Sequence, residues 1–253
     1  MVVGRHPILC PKTMDHTRCY DFRPRPKTIA SLPRLMTRTN DDGHRYRLTK
    51  RMTHGKWRIA LLATPWEAVP PPRYGGTELV VANLAAALTA RGHRVTVFAT
   101  GDSHPAGRLA SVFPRALSRD GIAWSDALRP LMHAFACFRQ AGTFDLIHNH
   151  ANYFGLLFSR LVPTPVVTTY HGDFRTAEAI PEKRRLLEAF ADQPFVAISH
   201  AQRAGIKTRL RFVGTVHNGI AVDTFPCSLK PGRYLAWLGR VTEKKGILEA
   251  IAV

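Results

Sequence analysis

From residue 57 onward, short apolar runs alternate along the chain with longer amphipathic stretches. Residues 58–63 (Arg-Ile-Ala-Leu-Leu-Ala) form a nearly unbroken apolar run, the pattern of a strand covered on both faces of a parallel sheet. A loop with Pro70, Pro71, Pro72, Gly75 and Gly76 follows. The spacing of Leu79, Val80, Asn83, Leu84, Ala87 and Leu88 then predicts a helix over 77–91 with a largely buried face. Gly92 stands where a left-handed helix end belongs, and residues 93–99 predict the next strand. Together these make a βαβ unit, whose crossover is right-handed as a rule. The alternation continues with strands over 109–113, 145–150, 166–171, 195–199 and 214–217, and helices over 126–140, 153–161, 182–191 and 201–208. It predicts an α/β domain over 57–223, built on a doubly wound, Rossmann-like parallel sheet.

The flanks break this pattern. Residues 226–231 read as a linker, 234–238 as a buried strand, Gly239-Arg240 as a turn and 246–253 as the opening of a helix. Residues 224–253 are therefore expected to be the truncated start of a second Rossmann-like domain, since so few elements cannot bury a core. Residues 1–56 sustain neither helix nor strand periodicity, and Pro24, Pro26 and Pro33 lie among basic and polar residues. This head is expected to be a disordered basic extension, with Met52 a natural start of translation. A basic arm that docks on membrane or RNA is the rival reading.

Charge sharpens that division. The formal charge is +18, but residues 1–56 hold 13 Lys and Arg against 4 Asp and Glu, a balance of +9. The other 197 residues hold 23 against 14, again +9. Charge density is thus more than three times higher in the head. The moderate excess elsewhere suits a diphosphate or an anionic membrane surface. No helix-turn-helix, zinc-finger or RNP pattern accompanies the charge, so nucleic acid is not expected as a partner. Apolar content of 45% is that of a globular protein, and no apolar run reaches the roughly 18 residues of a membrane span. Pro11, Lys12, Asp15, His16 and Arg18 interrupt any apolar leader, so no secretory signal is expected. The expected compartment is the cytoplasm, with peripheral contact at the inner face of the membrane left open. Cys10, Cys19, Cys137 and Cys227 form no Cys-x-x-Cys pair and read as reduced thiols.

Four constellations of candidate chemistry fall at strand C-termini, where ligands bind in open α/β sheets. Gly75-Gly76-Thr77-Glu78 opens the first helix; paired glycines let backbone approach a ligand, and the helix N-terminus favours phosphate. It is not Gly-x-Gly-x-x-Gly, and a plain tight turn is the alternative. His148-Asn149-His150 puts two histidines on one strand face, which suggests metal, but no third ligand stands at suitable spacing. A polar strand end lining a cleft is the preferred reading, and no metal site is assigned. Tyr170-His171-Gly172-Asp173 closes the next strand, with His171 placed to hydrogen-bond a polyol or to serve as a structural histidine. Gly239-Arg240-x4-Lys245-Gly246 offers a guanidinium and an ammonium to a departing diphosphate; a solvated basic turn is the alternative.

In their order, these motifs resemble glycosyltransferase family 4, of the GT-B fold. Arg91-Gly92-His93-x-Val95, Asp145-Leu-Ile-His-x-His150, Ala197-Ile-Ser199 and Asn218-Gly219-Ile220-x-x-Asp223-x-Phe225 join the four constellations, so the resemblance spans about 57–253. It implies two Rossmann-like lobes, with a hydroxyl acceptor mainly on the first and a nucleotide sugar, UDP- or GDP-linked, mainly on the second. It further implies transfer with retained anomeric configuration and no cofactor beyond the donor. By resemblance, Gly75 and Gly76 would meet the donor diphosphate, His171 would face the transferred sugar as the catalytic residue, and Arg240 with Lys245 would stabilise the leaving diphosphate. Glu78, His148, Asn149, His150, Tyr170, Gly172, Asp173 and Ser199 would line the cleft, with Asn218-Gly219 near the hinge.

One departure matters. The family's donor lobe carries two glutamates separated by seven residues, whereas Glu243 and Glu249 have a different spacing and lie too early. The pair is expected beyond Val253. Two other classes stay in view: a stand-alone Rossmann-like binding domain without catalysis, and a nicotinamide-dependent enzyme, for which Asp102 is the nearest ribose-holding acid. The 253-residue chain alone is expected to show no transferase activity; turnover of a nucleotide sugar by the purified chain would contradict this.

Overall fold

The computed structural model describes residues 55–222 without a break, then Ala236, Trp237, Gly239, Val241 and residues 245–252. It also describes two dipeptide pairs: Arg38–Thr39 antiparallel to Arg45–Tyr46, and Ile8–Leu9 parallel to Cys227–Ser228. Apart from these dipeptides and residues 55–56, the expected extension over 1–56 lies outside the described residues. So do most of the linker over 226–231 and most of the strand over 234–238. The chain divides into two compact units, Leu32–Ile220 and Met1–Ser31 with Ala221–Val253.

The larger unit holds a sheet of seven parallel strands: β1 (Arg58–Leu62), β2 (Arg94–Phe98), β3 (Arg108–Ala110), β4 (Leu146–Asn149), β5 (Val166–Thr169), β6 (Phe195–Ala197) and β7 (Phe212–Thr215). Their order across the sheet is β7-β6-β5-β4-β1-β2-β3. The chain works outward from β1 in one direction, then returns to β4 and works outward in the other. The reversal between β1 and β4 makes the sheet doubly wound and Rossmann-like, and it opens a crevice above the two central strands. The connecting helices are α1 (Gly76–Ala90), α2 (Leu128–Phe138), α3 (Asn152–Leu156), α4 (Phe174–Glu178), α5 (Pro181–Ala189) and α6 (His200–Ala204). In the smaller unit, α7 (Ile247–Ile251) follows Gly246. Among the described residues no helix is long and apolar enough to cross a membrane.

Strand alternation splits the core into two layers. Ile59 and Leu61 of β1 face Val81 and Ala85 of α1, with Val95 and Val97 of β2 beside them. Ala60 and Leu62 point the opposite way, into a cluster with Ala134, Cys137 and Phe138 of α2 and Ile147 of β4. Burying each large aliphatic side chain contributes about 1.5–3 kcal/mol. A third cluster, with Leu156, Tyr170, Phe174, Leu187 and Phe195, closes the β5–β6 side. At the N-terminal ends, the Arg58 guanidinium and its backbone N–H both donate to the Asp145 carboxylate at 2.9 Å. This pair sets β1 against β4, so that Leu61 lies beside His148 and Leu62 beside Asn149.

Several elements differ from the sequence expectation: α6 stops at Ala204 rather than near 208, β7 lies at Phe212–Thr215 rather than 214–217, and α1, α3 and α4 differ for identifiable reasons. The buried stripe of α1 is Glu78, Val81 and Ala85, while Leu79 is 41% exposed. The helix is rotated because Glu78 is drawn inward to Thr64. α3 ends at Leu156 rather than near 161, because the following N–H groups bond three residues back (Phe158 to Gly155, Ser159 to Leu156) and the Ser159 hydroxyl also donates to the Leu156 carbonyl. α4 was not anticipated; the Asp173 side chain caps it.

The turn from β4 into α3 is held by Asn149, which is fully buried. Its Nδ2 donates to the Asn152 carbonyl (3.0 Å) and to Thr168 Oγ1 (3.3 Å), and its Oδ1 accepts from the Ala151 N–H (2.9 Å). Asn152 itself takes φ +51°, a left-handed conformation that asparagine tolerates. A Cβ at Gly155 would overlap the Asn149 carboxamide. Gly155→Ala is therefore expected to destabilise the protein by about 2–4 kcal/mol in urea unfolding. A variant as stable as the parent would contradict this packing.

Candidate functional site

The loop from β1 to α1 puts backbone, not a side chain, at the helix entrance. Gly75 is the N-cap, with φ +151°, and a Cβ there would lie 2.6 Å from Pro71 Cβ. Only glycine fits. Gly76 is different: a Cβ there would meet nothing within 4 Å. No side chain caps α1, so the positive end of a 15-residue helix is left uncapped at this edge. Glu78 stands in that first turn, and its carboxylate meets its own backbone N–H. It is 4% exposed and accepts a hydrogen bond from Thr64 Oγ1. Burial raises its pKa, partly countered by the hydrogen bonds from Thr64 and from its own backbone N–H, while nearby Glu67 pushes in the same direction as burial.

Across the switch point, the ends of β4 and β5 bring three histidines together. His148 Nε2 and Thr169 Oγ1 are 2.8 Å apart, and the rings of His148 and His150 lie tilted against each other with centroids 4.1 Å apart. The His150 backbone N–H donates to the Leu62 carbonyl, so the residue continues the ladder beside β1. Its ring is 1% exposed, and its Nδ1 lies 2.9 Å from His171 Nε2. Desolvation lowers the pKa of His148 and of His171 to about 4, and that of His150 well below its ordinary value. All three are neutral at pH 7. Their charge is suppressed while their ring nitrogens stay available for hydrogen bonds.

The segment that carries His171 is fastened on both sides. Tyr170 Oη meets Tyr153 Oη at 2.6 Å, and a Cβ on Gly172 would lie 2.7 Å from that same Tyr170 oxygen. Asp173 accepts from the Arg175 N–H (3.1 Å) and the Thr176 hydroxyl (3.0 Å), so its side chain serves the start of α4. Gln202 was not anticipated as part of the site. Its Nε2 donates to the carbonyls of Tyr170 (2.8 Å) and Gly172 (2.7 Å), on either side of His171. Ser199 caps α6 by accepting from the Gln202 N–H at 3.0 Å. The spacing Ser199-x-x-Gln202 is a capping-box signature, the one sequence signal that marked this glutamine.

The structure therefore gathers His148, Asn149, His150, Tyr170, His171 and Gly172 at one edge, with Ser199 reaching it through Gln202. Gly75, Gly76 and Glu78 form the entrance of α1. The Gly219 carbonyl accepts from Asn83 Nδ2 of α1 at 3.3 Å, and Asn218 beside it is exposed. Arg240 lies outside the described residues. Lys245 belongs to the smaller unit, is exposed, and accepts from Trp237 Nε1 on its backbone carbonyl at 2.9 Å. Among the described residues no group of three or more His, Cys, Asp or Glu is arranged to hold a metal ion. The edge offers neutral hydrogen-bonding rings and a helix N-terminus, a chemistry suited to hydroxyls and phosphate oxygens.

Residues 74–224 match the family described as Glycosyltransferase Family 4. No curated protein matches the chain. Similar solved structures include AviGT4, a glycosyltransferase involved in avilamycin A biosynthesis, at 20% identity over 59% of this chain and 38% of that one, with a TM-score of 0.34. Another is Anabaena Alr3699/HepE in complex with UDP, at 16% identity over 66% of this chain and 45% of that one, with a TM-score of 0.45. The chain spans less than half the length of either.

The suppressed histidines make stability depend on pH. His133, also fully buried, has its pKa lowered to about 4 by desolvation, like His148 and His171. Because the folded values are depressed, the unfolded chain binds more protons below its ordinary histidine value of 6.5. Stability is then full above that pH and lost as pH falls toward 4, by about 1.4 kcal/mol per pH unit for each proton taken up. Urea midpoints are expected to drop steeply across this window. A flat profile would show that the histidines are not buried as described.

Proposed function

Because the chain belongs to glycosyltransferase family 4, we propose that it forms the acceptor-side lobe of a retaining transferase that uses a UDP- or GDP-linked sugar and a hydroxyl acceptor. In that reaction the bond between the anomeric carbon and the diphosphate oxygen breaks. The acceptor oxygen bonds to the same face of that carbon, and its proton passes to the departing diphosphate. The protein's part is to hold the diphosphate and orient the sugar, which needs donors rather than a pair of carboxylates. Gly76 N–H at the entrance of α1 would take a diphosphate oxygen and His171 would touch the transferred sugar. Arg240 and Lys245 would neutralise the leaving group. No cofactor beyond the donor is required. The moderate positive charge outside the head also suits an acceptor held at an anionic membrane surface on the cytoplasmic side.

The observation that carries this reading is the contrast between the two glycines. Gly75 is demanded by the protein's own packing, whereas Gly76 faces open space at the uncapped end of α1. Nothing among the described residues crowds the Cβ position of Gly76, which leaves its backbone N–H open to the close approach of a ligand. The chain by itself is expected to meet only the diphosphate of a nucleotide and not to turn a donor over, since Glu243 and Glu249 do not match the family's glutamates that hold the ribose and the sugar.

Titration of the chain with UDP and GDP, followed by 15N resonances, tests the proposal. The Gly76 amide is expected to shift saturably with one of the two nucleotides, and the His171 ring with the corresponding nucleotide sugar. Gly76→Ala is expected to keep or slightly raise the melting temperature while weakening nucleotide binding about tenfold, or about 1.4 kcal/mol. Unchanged affinity in that variant, or no shift at millimolar nucleotide, overturns the reading.

A further inference from the structure

His150 presents an accounting problem. Its Nδ1 faces His171 Nε2 at 2.9 Å, while its Nε2 is buried with no hydrogen-bond partner. Both rings are neutral, so each carries one proton, and one proton must sit between the two facing nitrogens. If His171 donated it, His150 would carry its own proton on Nε2, leaving a buried N–H with no acceptor. If His150 donates it, the partnerless atom is a bare nitrogen. Orphaned buried N–H groups are the rarer of such exceptions, so the second arrangement is favoured.

That choice fixes the tautomer of the neighbour. A neutral His171 that accepts on Nε2 must carry its proton on Nδ1. His171 is only half-buried, and among the described residues no protein group takes its Nδ1. His148 does not compete, because its Nε2 is engaged with Thr169 Oγ1. We propose that His150 is a positioning residue: by donating from Nδ1 it locks His171 as the Nδ1–H tautomer, so that His171 offers its ligand an N–H donor rather than a lone pair. The inference rests on the reading of His171 as the residue that touches the sugar. It adds the direction of that hydrogen bond, from protein to ligand oxygen.

The test is spectroscopic and does not need turnover. Two-bond 1H–15N correlations of the histidine rings in the full chain near neutral pH report which nitrogen of each ring is protonated. His150 and His171 are both expected in the Nδ1–H form. In His150→Leu, which has no donor, His171 is expected to lose that form; in His150→Asn, whose carboxamide N–H can stand near the position of Nδ1, it is expected to keep it. His171 protonated on Nε2 in the parent chain, or a His171 tautomer indifferent to His150→Leu, overturns the proposal. Should His150→Leu fail to fold, the parent spectrum decides alone. Addition of UDP or GDP separates the two ideas. A Gly76 amide shifted by nucleotide, with His171 protonated on Nε2, defeats the positioning role only. A His171 locked as Nδ1–H in a chain whose Gly76 amide is untouched by either nucleotide defeats the transferase reading and leaves the lock in place.

Discussion

The structure depends on how polar side chains are satisfied where a buried parallel strand comes to its end. At the end of β4, Asn149 goes fully under protein and replaces lost water with three partners of its own, the Ala151 N–H, the Asn152 carbonyl and Thr168 Oγ1. That solution dictates its surroundings. It turns the chain sharply into α3 and excludes a side chain at Gly155. With its N–H on the Leu62 carbonyl, the next residue, His150, stays in line with the sheet so that its ring reaches the one beyond β5. The edge that carries the chemistry is the continuation of a hydrogen-bond ladder that has run out of backbone partners.

Electrostatically the edge is quieter than the sequence suggests. A chain with a formal charge of +18 presents three uncharged histidines here. Its nearest buried acid, Glu78, is turned inward to Thr64. The positive potential at this edge comes from aligned peptide dipoles at the start of α1 rather than from a side chain. Surface charge acts over distance to draw an anion in, whereas fixed N–H groups select its geometry once it arrives.

Much of the fold was legible because periodicity and punctuation are local signals. The apolar run at 58–63 yields β1, and Gly92 ends α1 with φ +83° where a left-handed residue was expected. What was not legible is tertiary. Leu79 and Val81 are both apolar, and the fit of α1 on the sheet, with Val81 among Ile59, Leu61 and Val95 and Glu78 bonded to Thr64, decides which of them is buried. Asp173 before Phe-Arg-Thr carried a cap signal, but a helix of five residues has too little pattern to be read from periodicity. The two histidines that meet are 21 positions apart, and no spacing rule connects them. Gln202 was visible as part of a helix cap, yet its grip on two carbonyls of another loop exists only in three dimensions.

That grip couples two parts of the chain that a sequence comparison would treat as unrelated. Gln202 also accepts from the Ile198 N–H, so a single carboxamide joins the end of β6, the first turn of α6 and the peptide groups around His171. A residue change in α6 that displaces Gln202 therefore frees two carbonyls on either side of His171, far along the chain from the site of the change.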